Sequence, residues 1–123
     1  MTMIQVTTLD VGLSSNVING ELLGADQFTF AVKPKGSELI YCIYKHGYYK
    51  IKGIGREPHT AEMFGQMTFL KKLFQTKEPI TIHTIYGVVT GTLKFHDRYN
   101  INIDGVLYNK AQIRMFVFDG TIL

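Results

Sequence analysis

Cysteine is almost absent from this sequence. Cys42 is the only one among 123 residues, and a single cysteine excludes an internal disulfide and any cysteine-rich zinc site. Its neighbours Tyr41 and Ile43 predict that the thiol is buried in a strand. We therefore expect Cys42 to be structural.

Long apolar runs are also missing. No run approaches the roughly 18 residues that span a bilayer, and the N-terminus shows no basic region followed by a hydrophobic block. We therefore expect a cytoplasmic protein without a membrane span or an export signal. Hydrophobic residues make up 46% of the sequence and charged residues 19%, which is typical of a packed globular protein. The net charge of +3 gives only a mild preference for phosphate-bearing partners.

Motifs for catalysis or metal binding are not found either. The four histidines are His46, His59, His83 and His96. They lack the paired helical spacing of a metalloprotease and the Cys/His spacing of a zinc module. The Gly-x-Gly segment at 53–56 precedes a predicted helix but has no Lys-Ser/Thr of a P-loop. We expect that the protein is not an enzyme and has neither a metal ion nor a cofactor.

A helix is predicted over residues 58–75. Its apolar stripe consists of Met63, Met67, Leu70 and Phe74. These residues are spaced by four, three and four positions, which places them on one face of a helix. Thr60 is the N-cap candidate, and Glu62 supplies an acid in the first turn. We expect the stripe to cover the open end of a β-barrel.

Alternation of apolar and polar residues replaces the helical spacing after Pro79. The segment 99–103 alternates and therefore predicts a half-buried strand. Asp104-Gly105 follows, a pair that is typical of a two-residue hairpin with positive φ at both positions. One helix followed by five short strands resembles the plan of a small Sm-type barrel. We predict this unit over residues 57–123.

Residues 1–56 are predicted to form a separate β-rich module. Asn19-Gly20 lies between two short apolar runs, which is a second hairpin signal. Further strands are predicted at 27–32, 38–44 and 48–52. The whole chain is therefore expected to be mainly β, with an N-terminal antiparallel β-meander before the helix and the five-stranded Sm-like barrel.

Several positions between 66 and 118 form a recognisable set. They are Gln66, Phe69, Leu70, Pro79, Tyr86, Gly87, Gly91, Asp97, Arg98, Tyr99, Tyr108 and Ala111. The set resembles the bacterial Sm-like family Hfq. The resemblance implies a homo-oligomeric ring that binds single-stranded RNA or nucleotides.

The resemblance also implies a set of binding residues. The pocket would be lined by Gln66, Tyr99, Asn109, Lys110, Gln112 and Arg114. Asn109-Lys110 stands where the family carries Lys-His, so we expect weaker RNA binding than is usual for the family. We further expect the strands at 101–108 and 112–118 to supply the interface between subunits.

Alternatives stay open for the first half and for the function. An internal echo relates Gly20, Gly24 and Asp26 to Gly87, Gly91 and Asp97. Two barrels in tandem would explain the echo, and an unrelated β-meander that extends the sheet is the other interpretation. In function, the chain could instead be a phage or mobile-element protein that uses the barrel to oligomerise and binds or inhibits a host protein. It could also sequester small cyclic nucleotides.

Overall fold

The computed structural model describes residues 2–9, 15–59 and 66–122 of the chain. The strands are β1 Met3–Leu9, β2 Ser15–Ala25, β3 Thr29–Pro34, β4 Leu39–Tyr44, β5 Tyr48–Lys52, β6 Pro79–Thr84, β7 Gly87–His96, β8 Asn100–Ile103, β9 Val106–Asn109 and β10 Ile113–Asp119. The helix α1 spans Gln66–Thr76, and short 3-10 turns follow β9 at Lys110–Gln112 and β10 at Gly120–Ile122.

All ten strands form one antiparallel sheet in the order β5-β1-β2-β3-β4-β10-β6-β7-β8-β9. In the described part of the chain the sheet does not close on itself, so β5 and β9 are its two edges. The prediction of a mainly β protein is confirmed. Strands β1 to β4 form a meander, as predicted, but β5 returns to pair with β1.

The two halves of the sheet have the same strand order. We define the first half as β1–β5 and the second half as β6–β10. In each half the fifth strand pairs with the first, and the first to fourth strands follow one another. The β4–β10 pair joins the halves.

The same two irregularities occur in both halves. In the fifth strands, the register against the first strand skips Tyr49 in one half and Arg114 in the other. In the second strands, the register against the third strand skips Leu23 and Lys94. A β-bulge adds one unpaired residue at a defined place, so this agreement shows that the halves are built alike. The observation favours an internal repeat over an unrelated meander.

The turn between the second and third strands also repeats. Asp26 Oδ1 accepts hydrogen bonds from the N–H groups of Phe28 and Thr29 at 2.8 and 2.7 Å. In the second half, Asp97 Oδ1 accepts from Tyr99 and Asn100 at 2.8 and 2.7 Å. An aspartate that accepts hydrogen bonds from the backbone N–H groups two and three residues later fixes the turn locally.

The predicted hairpin at Asn19-Gly20 is wrong. β2 runs through both residues without a turn, and Gly20 lies opposite Ile4 as Gly91 lies opposite Ile80. A Cβ at Gly20 would collide with the Lys33 carbonyl, so this glycine serves a close approach between strands. The structural repeat therefore matches Gly20 with Gly91, whereas the sequence echo had matched it with Gly87.

The second predicted hairpin is confirmed. Asp104 and Gly105 connect β8 to β9 with φ of 52° and 94°. The Gly105 N–H donates to the Asn102 side-chain oxygen at 2.8 Å. This turn needs positive φ at both central positions, which Asp and Gly tolerate.

The helix is shorter at its start than predicted. Pro58 and His59 are not helical, and α1 begins at Gln66 in the described chain. The N-cap candidate Thr60, the acid Glu62 and the stripe residue Met63 lie outside the described residues. No helix in the described ranges is long and apolar enough to cross a membrane.

The predicted apolar stripe of α1 is rotated relative to the buried face. The buried residues are Gln66, Phe69, Leu70 and Leu73. Met67 is 50% exposed and Phe74 is 42% exposed, so only Leu70 of the described stripe residues lies at the centre. At about 100° per residue, Met67 and Phe74 fall on the flank of a face that Phe69 and Leu73 complete. Phe69 packs on Phe118 with ring centroids 5.0 Å apart.

The core crosses the boundary between the halves. Met115 of β10 packs in a cluster with residues of the first half, among them Ile18 and Ile43. Conversely, Cys42 and Tyr44 belong to the cluster that contains α1 and most of the second half. Strand β10 is paired on both sides, so the strand at 112–118, which was expected to supply an interface between subunits, has no free edge with which to pair another chain. The physical reason is that β4 already occupies that edge.

Candidate functional site

Asp26 connects the turn between β2 and β3 to the start of α1. Its Oδ2 accepts from the Gln66 N–H at 2.7 Å, and Thr29 Oγ1 accepts from the same N–H at 3.2 Å. The Thr29 hydroxyl in turn donates to Asp26 Oδ1 at 3.0 Å. A carboxylate at a helix N-terminus satisfies a free backbone donor and favours the helix dipole. The first half therefore fixes the position of Gln66.

Lys110 begins the 3-10 turn after β9 and is buried. Its backbone N–H donates to the Tyr99 carbonyl at 2.7 Å, and its side chain is only 5% exposed. Among the described residues its Nζ has no hydrogen-bond partner. Burial lowers the pKa of the Lys110 ammonium, while the negative charges of Asp97 and Asp26 oppose this shift. Burying an ammonium without a hydrogen-bond partner lowers the stability of the folded state. Most buried polar groups in proteins do have a partner.

Two further polar atoms near these elements are buried without a partner. Gln66 is 3% exposed, and its Oε1 accepts no hydrogen bond from the described residues. The same holds for the Tyr44 hydroxyl, which comes from the first half. Burial raises the pKa of Tyr44 well above its usual value, so its phenol stays protonated and can donate. The group therefore offers an acceptor at Gln66 and donors at Tyr44 and Lys110.

Asp97 and His96 lie at the end of β7 beside Lys110. Hydrogen bonds from the backbone N–H groups of Tyr99 and Asn100 lower the pKa of Asp97. Burial and the charge of Lys110 lower the pKa of His96. At neutral pH the site therefore combines an ionised Asp97 with a neutral His96.

Tyr99 is the aromatic residue of the site that reaches solvent. It is 64% exposed, and the Arg98 guanidinium lies 5.5 Å from its ring centroid. The Tyr99 N–H donates to Asp97 Oδ1, and the Tyr99 carbonyl accepts from the Lys110 N–H. An exposed ring beside a cation is suited to stacking on a base while the cation contacts a phosphate.

Asn109 and Gln112 flank Lys110 in the chain and lie at the β9 edge of the sheet. Asn109 is exposed and accepts from the Ala111 N–H at 2.8 Å, which caps the 3-10 turn. Together with Gln112, it lines an apolar cavity of about 420 Å³ at the β9 edge. Val89, Leu107 and Tyr108 also line this cavity.

Arg114 lies at the junction of the two halves. It is the bulged residue of β10, and its Nε is buried without a partner among the described residues. A Cβ at Gly47 would collide with the Arg114 backbone. The adjacent Ile113 carbonyl lies 2.8 Å from the His46 ring nitrogen. Arg114 is therefore packed against the turn between β4 and β5.

The structure thus divides the six predicted site residues. Lys110 and Tyr99 are joined by a backbone hydrogen bond at the β7–β8 turn, and Gln66 is held separately by Asp26 and Thr29. Asn109 and Gln112 line the cavity at the β9 edge, and Arg114 lies at the junction of the halves. The predicted set of site residues did not include Asp26 or Tyr44, because both lie outside the stretch that carries the resemblance. The Asp-x-Phe/Tyr pattern at 26–28 and 97–99 was the available signal.

Comparison with other proteins gives no further identification. No model of a known protein family matches the chain, and no curated protein matches it. Within residues 2–9, 15–59 and 66–122, no three His, Cys, Asp or Glu side chains lie close enough together to hold a metal ion.

Proposed function

We propose that the protein is a homo-oligomeric Sm-like protein that binds single-stranded RNA or nucleotides. The observation that carries this proposal is that Lys110 Nζ and Gln66 Oε1 are each buried without a hydrogen-bond partner among the described residues, while the Tyr99 ring, whose carbonyl accepts from the Lys110 N–H, is exposed. A nucleobase edge presents carbonyl or ring-nitrogen acceptors and N–H donors, which are the kinds of partner that an ammonium and an amide oxygen need. Tyr99 would stack on a base, and Arg98 would contact a phosphate.

The Sm-like part of the proposal is supported by the second half. A helix precedes five strands there, and a 3-10 turn separates the fourth strand from the fifth. The fifth strand returns to pair with the first. These features agree with the order expected from the resemblance.

Binding is tested with fluorescently labelled oligonucleotides and the full chain. We expect anisotropy to rise with unpaired A-rich or U-rich RNA and to rise less with a perfect duplex. Lys110→Ala should weaken binding about tenfold or more, because a donor that a base or phosphate would use is lost. Tyr99→Ala should weaken it by a similar factor, since stacking contributes about 1–3 kcal/mol per base.

Matched controls separate the site from general charge and aromatic surface. Lys35 is an exposed lysine in the β3–β4 turn, and Tyr86 is an 82% exposed tyrosine in the β6–β7 turn. Lys35→Ala and Tyr86→Ala should bind as the parent does. Equal affinity of the parent, Lys110→Ala and Tyr99→Ala would show that the site is assigned wrongly.

The cyclic-nucleotide alternative needs the same residues and is tested in the same assay. A small site would bind a mononucleotide or cyclic nucleotide as tightly as an oligonucleotide. Cyclic nucleotides that compete at concentrations as low as a long RNA does would favour sequestration. Binding that grows with RNA length would favour the RNA proposal.

A further inference from the structure

Asp26 uses the two oxygens of its carboxylate for two different parts of the chain. Oδ1 accepts the hydrogen bonds of its own turn, from Phe28 and Thr29. Oδ2 accepts from the N–H of Gln66, which lies 40 residues later and begins α1 in the described chain. A turn of this kind needs one side-chain oxygen and is formed by Asn as well as by Asp. The second oxygen of Asp26 therefore serves the helix.

The repeat supplies a comparison within the same molecule. Asp97 occupies the equivalent position in the second half. In the described part of the chain, its hydrogen bonds come from Tyr99 and Asn100 of its own turn. Turn formation alone therefore does not require a bond to a distant helix. The contact between Asp26 and Gln66 is something that the first half adds to α1.

This contact lies at the end of α1 that carries a candidate site residue. Farther along the helix, Phe69 and Leu73 are buried in the core, so apolar packing holds the body of α1. Gln66 lies in the first turn, and helix ends fray where their N–H groups lack acceptors. The acceptors of its N–H are Asp26 Oδ2 at 2.7 Å and Thr29 Oγ1 at 3.2 Å. The carboxylate also interacts favourably with the positive end of the helix dipole.

We propose that Asp26 is a positioning residue of the RNA site, which binds the Gln66 N–H and thereby holds the Gln66 side chain in the geometry that the ligand needs. This inference rests on the proposed function, because Gln66 is assigned to the RNA site there. Binding groups must be held within about 0.5 Å of the productive geometry. Loss of the Asp26 contact would let the first turn of α1 move, while the core beneath the rest of the helix stays intact.

Asp26 also acts on a second site residue through its charge. The negative charge of Asp26 raises the pKa of the Lys110 ammonium, against the effect of burial. Removing this charge would make the Lys110 cation less stable, and RNA binding would then weaken without any change at Gln66. The two effects differ in the residue whose removal abolishes the influence of Asp26.

Asp26→Asn separates the turn from the helix contact. Three hydrogen bonds reach Oδ1 and one reaches Oδ2, so the single oxygen of Asn should stay in the turn. The amide NH2 group then faces the Gln66 N–H, and two donors cannot bond each other. We expect Asp26→Asn in the full chain to weaken the binding of labelled single-stranded RNA by about fivefold. Asp119→Asn is the matched control, because Asp119 Oδ1 accepts from the Thr121 N–H of its own turn at 2.9 Å, and this variant should bind as the parent does.

Double-mutant cycles identify the residue through which Asp26 acts. With Gln66→Ala in place, Asp26→Asn should cause little further loss of affinity, because the side chain that Asp26 positions is gone. With Tyr99→Ala the two losses should multiply, since the turn that carries Tyr99 is fixed by Asp97. With Lys110→Ala they should multiply as well.

Two results would contradict the positioning role and leave the proposed function standing. The first is parent affinity for RNA in Asp26→Asn or in Gln66→Ala. The second is an Asp26→Asn loss that disappears with Lys110→Ala but not with Gln66→Ala, because the charge of Asp26 would then be the cause. A parent chain that binds none of the RNA probes would overturn the proposed function and this inference together.

Thr29→Val is a second variant that removes the other acceptor of the Gln66 N–H. It should also weaken RNA binding, and this loss should likewise shrink when Gln66→Ala is present. Both Thr29→Val and Asp26→Asn should keep the near-UV circular dichroism of the parent. Loss of that spectrum in both variants would overturn the inference, because the contact would then be required for folding and not for the geometry of the site.

Discussion

At the residue scale, a few polar side chains connect the two halves and form the candidate site. Asp26 and Asp97 each fix their own turn, but only Asp26 also binds the first N–H of α1. The Lys110 backbone N–H donates to the Tyr99 carbonyl, and the Lys110 side chain is buried. The resemblance predicted Lys110 and Gln66 as site residues. The contact of Asp26 with Gln66 could not be predicted, because Asp26 lies 40 residues earlier in the sequence.

The buried ammonium predicts a pH-dependent stability. Burial lowers the pKa of Lys110 in the folded protein below its ordinary value of 10.5. Below the folded pKa, both states carry the proton and the folded state is destabilised by burying the charge. Between the two pKa values the unfolded state binds more protons, so stability rises with pH. Lys110→Met should therefore raise the free energy of unfolding at pH 7 by about 1 kcal/mol.

This gain is measured by urea denaturation at pH 7 and again near pH 10. The difference between Lys110→Met and the parent should shrink at the higher pH, where the parent lysine loses its proton more readily in the folded state. Lys35→Met removes an exposed charge and should leave stability within about 0.5 kcal/mol of the parent. A destabilised Lys110→Met at pH 7 would show that the ammonium is satisfied in the folded protein.

At the element scale, the helix shows how tertiary packing selects among similar patterns. The sequence spacing of Met67, Leu70 and Phe74 is regular, yet the buried face is centred on Gln66, Phe69, Leu70 and Leu73. Two adjacent apolar lines run along α1, and Leu70 belongs to both. The line that faces the sheet is the one that contains Phe69, which packs on Phe118. Periodicity alone could not choose between them.

Truncating the two lines separately tests this assignment. Leu73→Ala removes a fully buried side chain and should lower the free energy of unfolding by about 3 kcal/mol. Met67→Ala removes a half-exposed side chain and should cost less than about 1 kcal/mol. Both values come from chemical denaturation followed by circular dichroism. A larger loss of unfolding free energy for Met67→Ala than for Leu73→Ala would show that the stripe predicted from the sequence is the buried face.

At the scale of the whole molecule, the sheet is continuous across the two halves. Strand β10 is paired with β4 of the first half and β6 of the second. Tyr44 of the first half packs on Phe116 with ring centroids 6.1 Å apart. The sequence boundary at Glu57 stays a prediction, but the halves share their core across it.

A chain shortened to residues 57–123 tests that boundary. Without the first half, β10 would have a free edge, and the apolar surface around Phe116 and Phe118 would lose part of its cover. We therefore expect the shortened chain to aggregate or to lose its near-UV circular dichroism. A shortened chain with a native near-UV spectrum and a defined oligomer would show that residues 1–56 are a dispensable module.

The sequence by itself determined the features that depend on neighbouring residues. Period-two alternation predicted the strands, and Asp104-Gly105 predicted its hairpin, because both depend on local side-chain direction and backbone φ. The tertiary structure decided the rest. Asn19-Gly20 carries the same turn signal but lies inside β2, because the close approach of Lys33 needs a residue without Cβ. The helix face, the Asp26 contact and the central place of β10 are likewise set by which distant surfaces bury one another, and no local pattern encodes that choice.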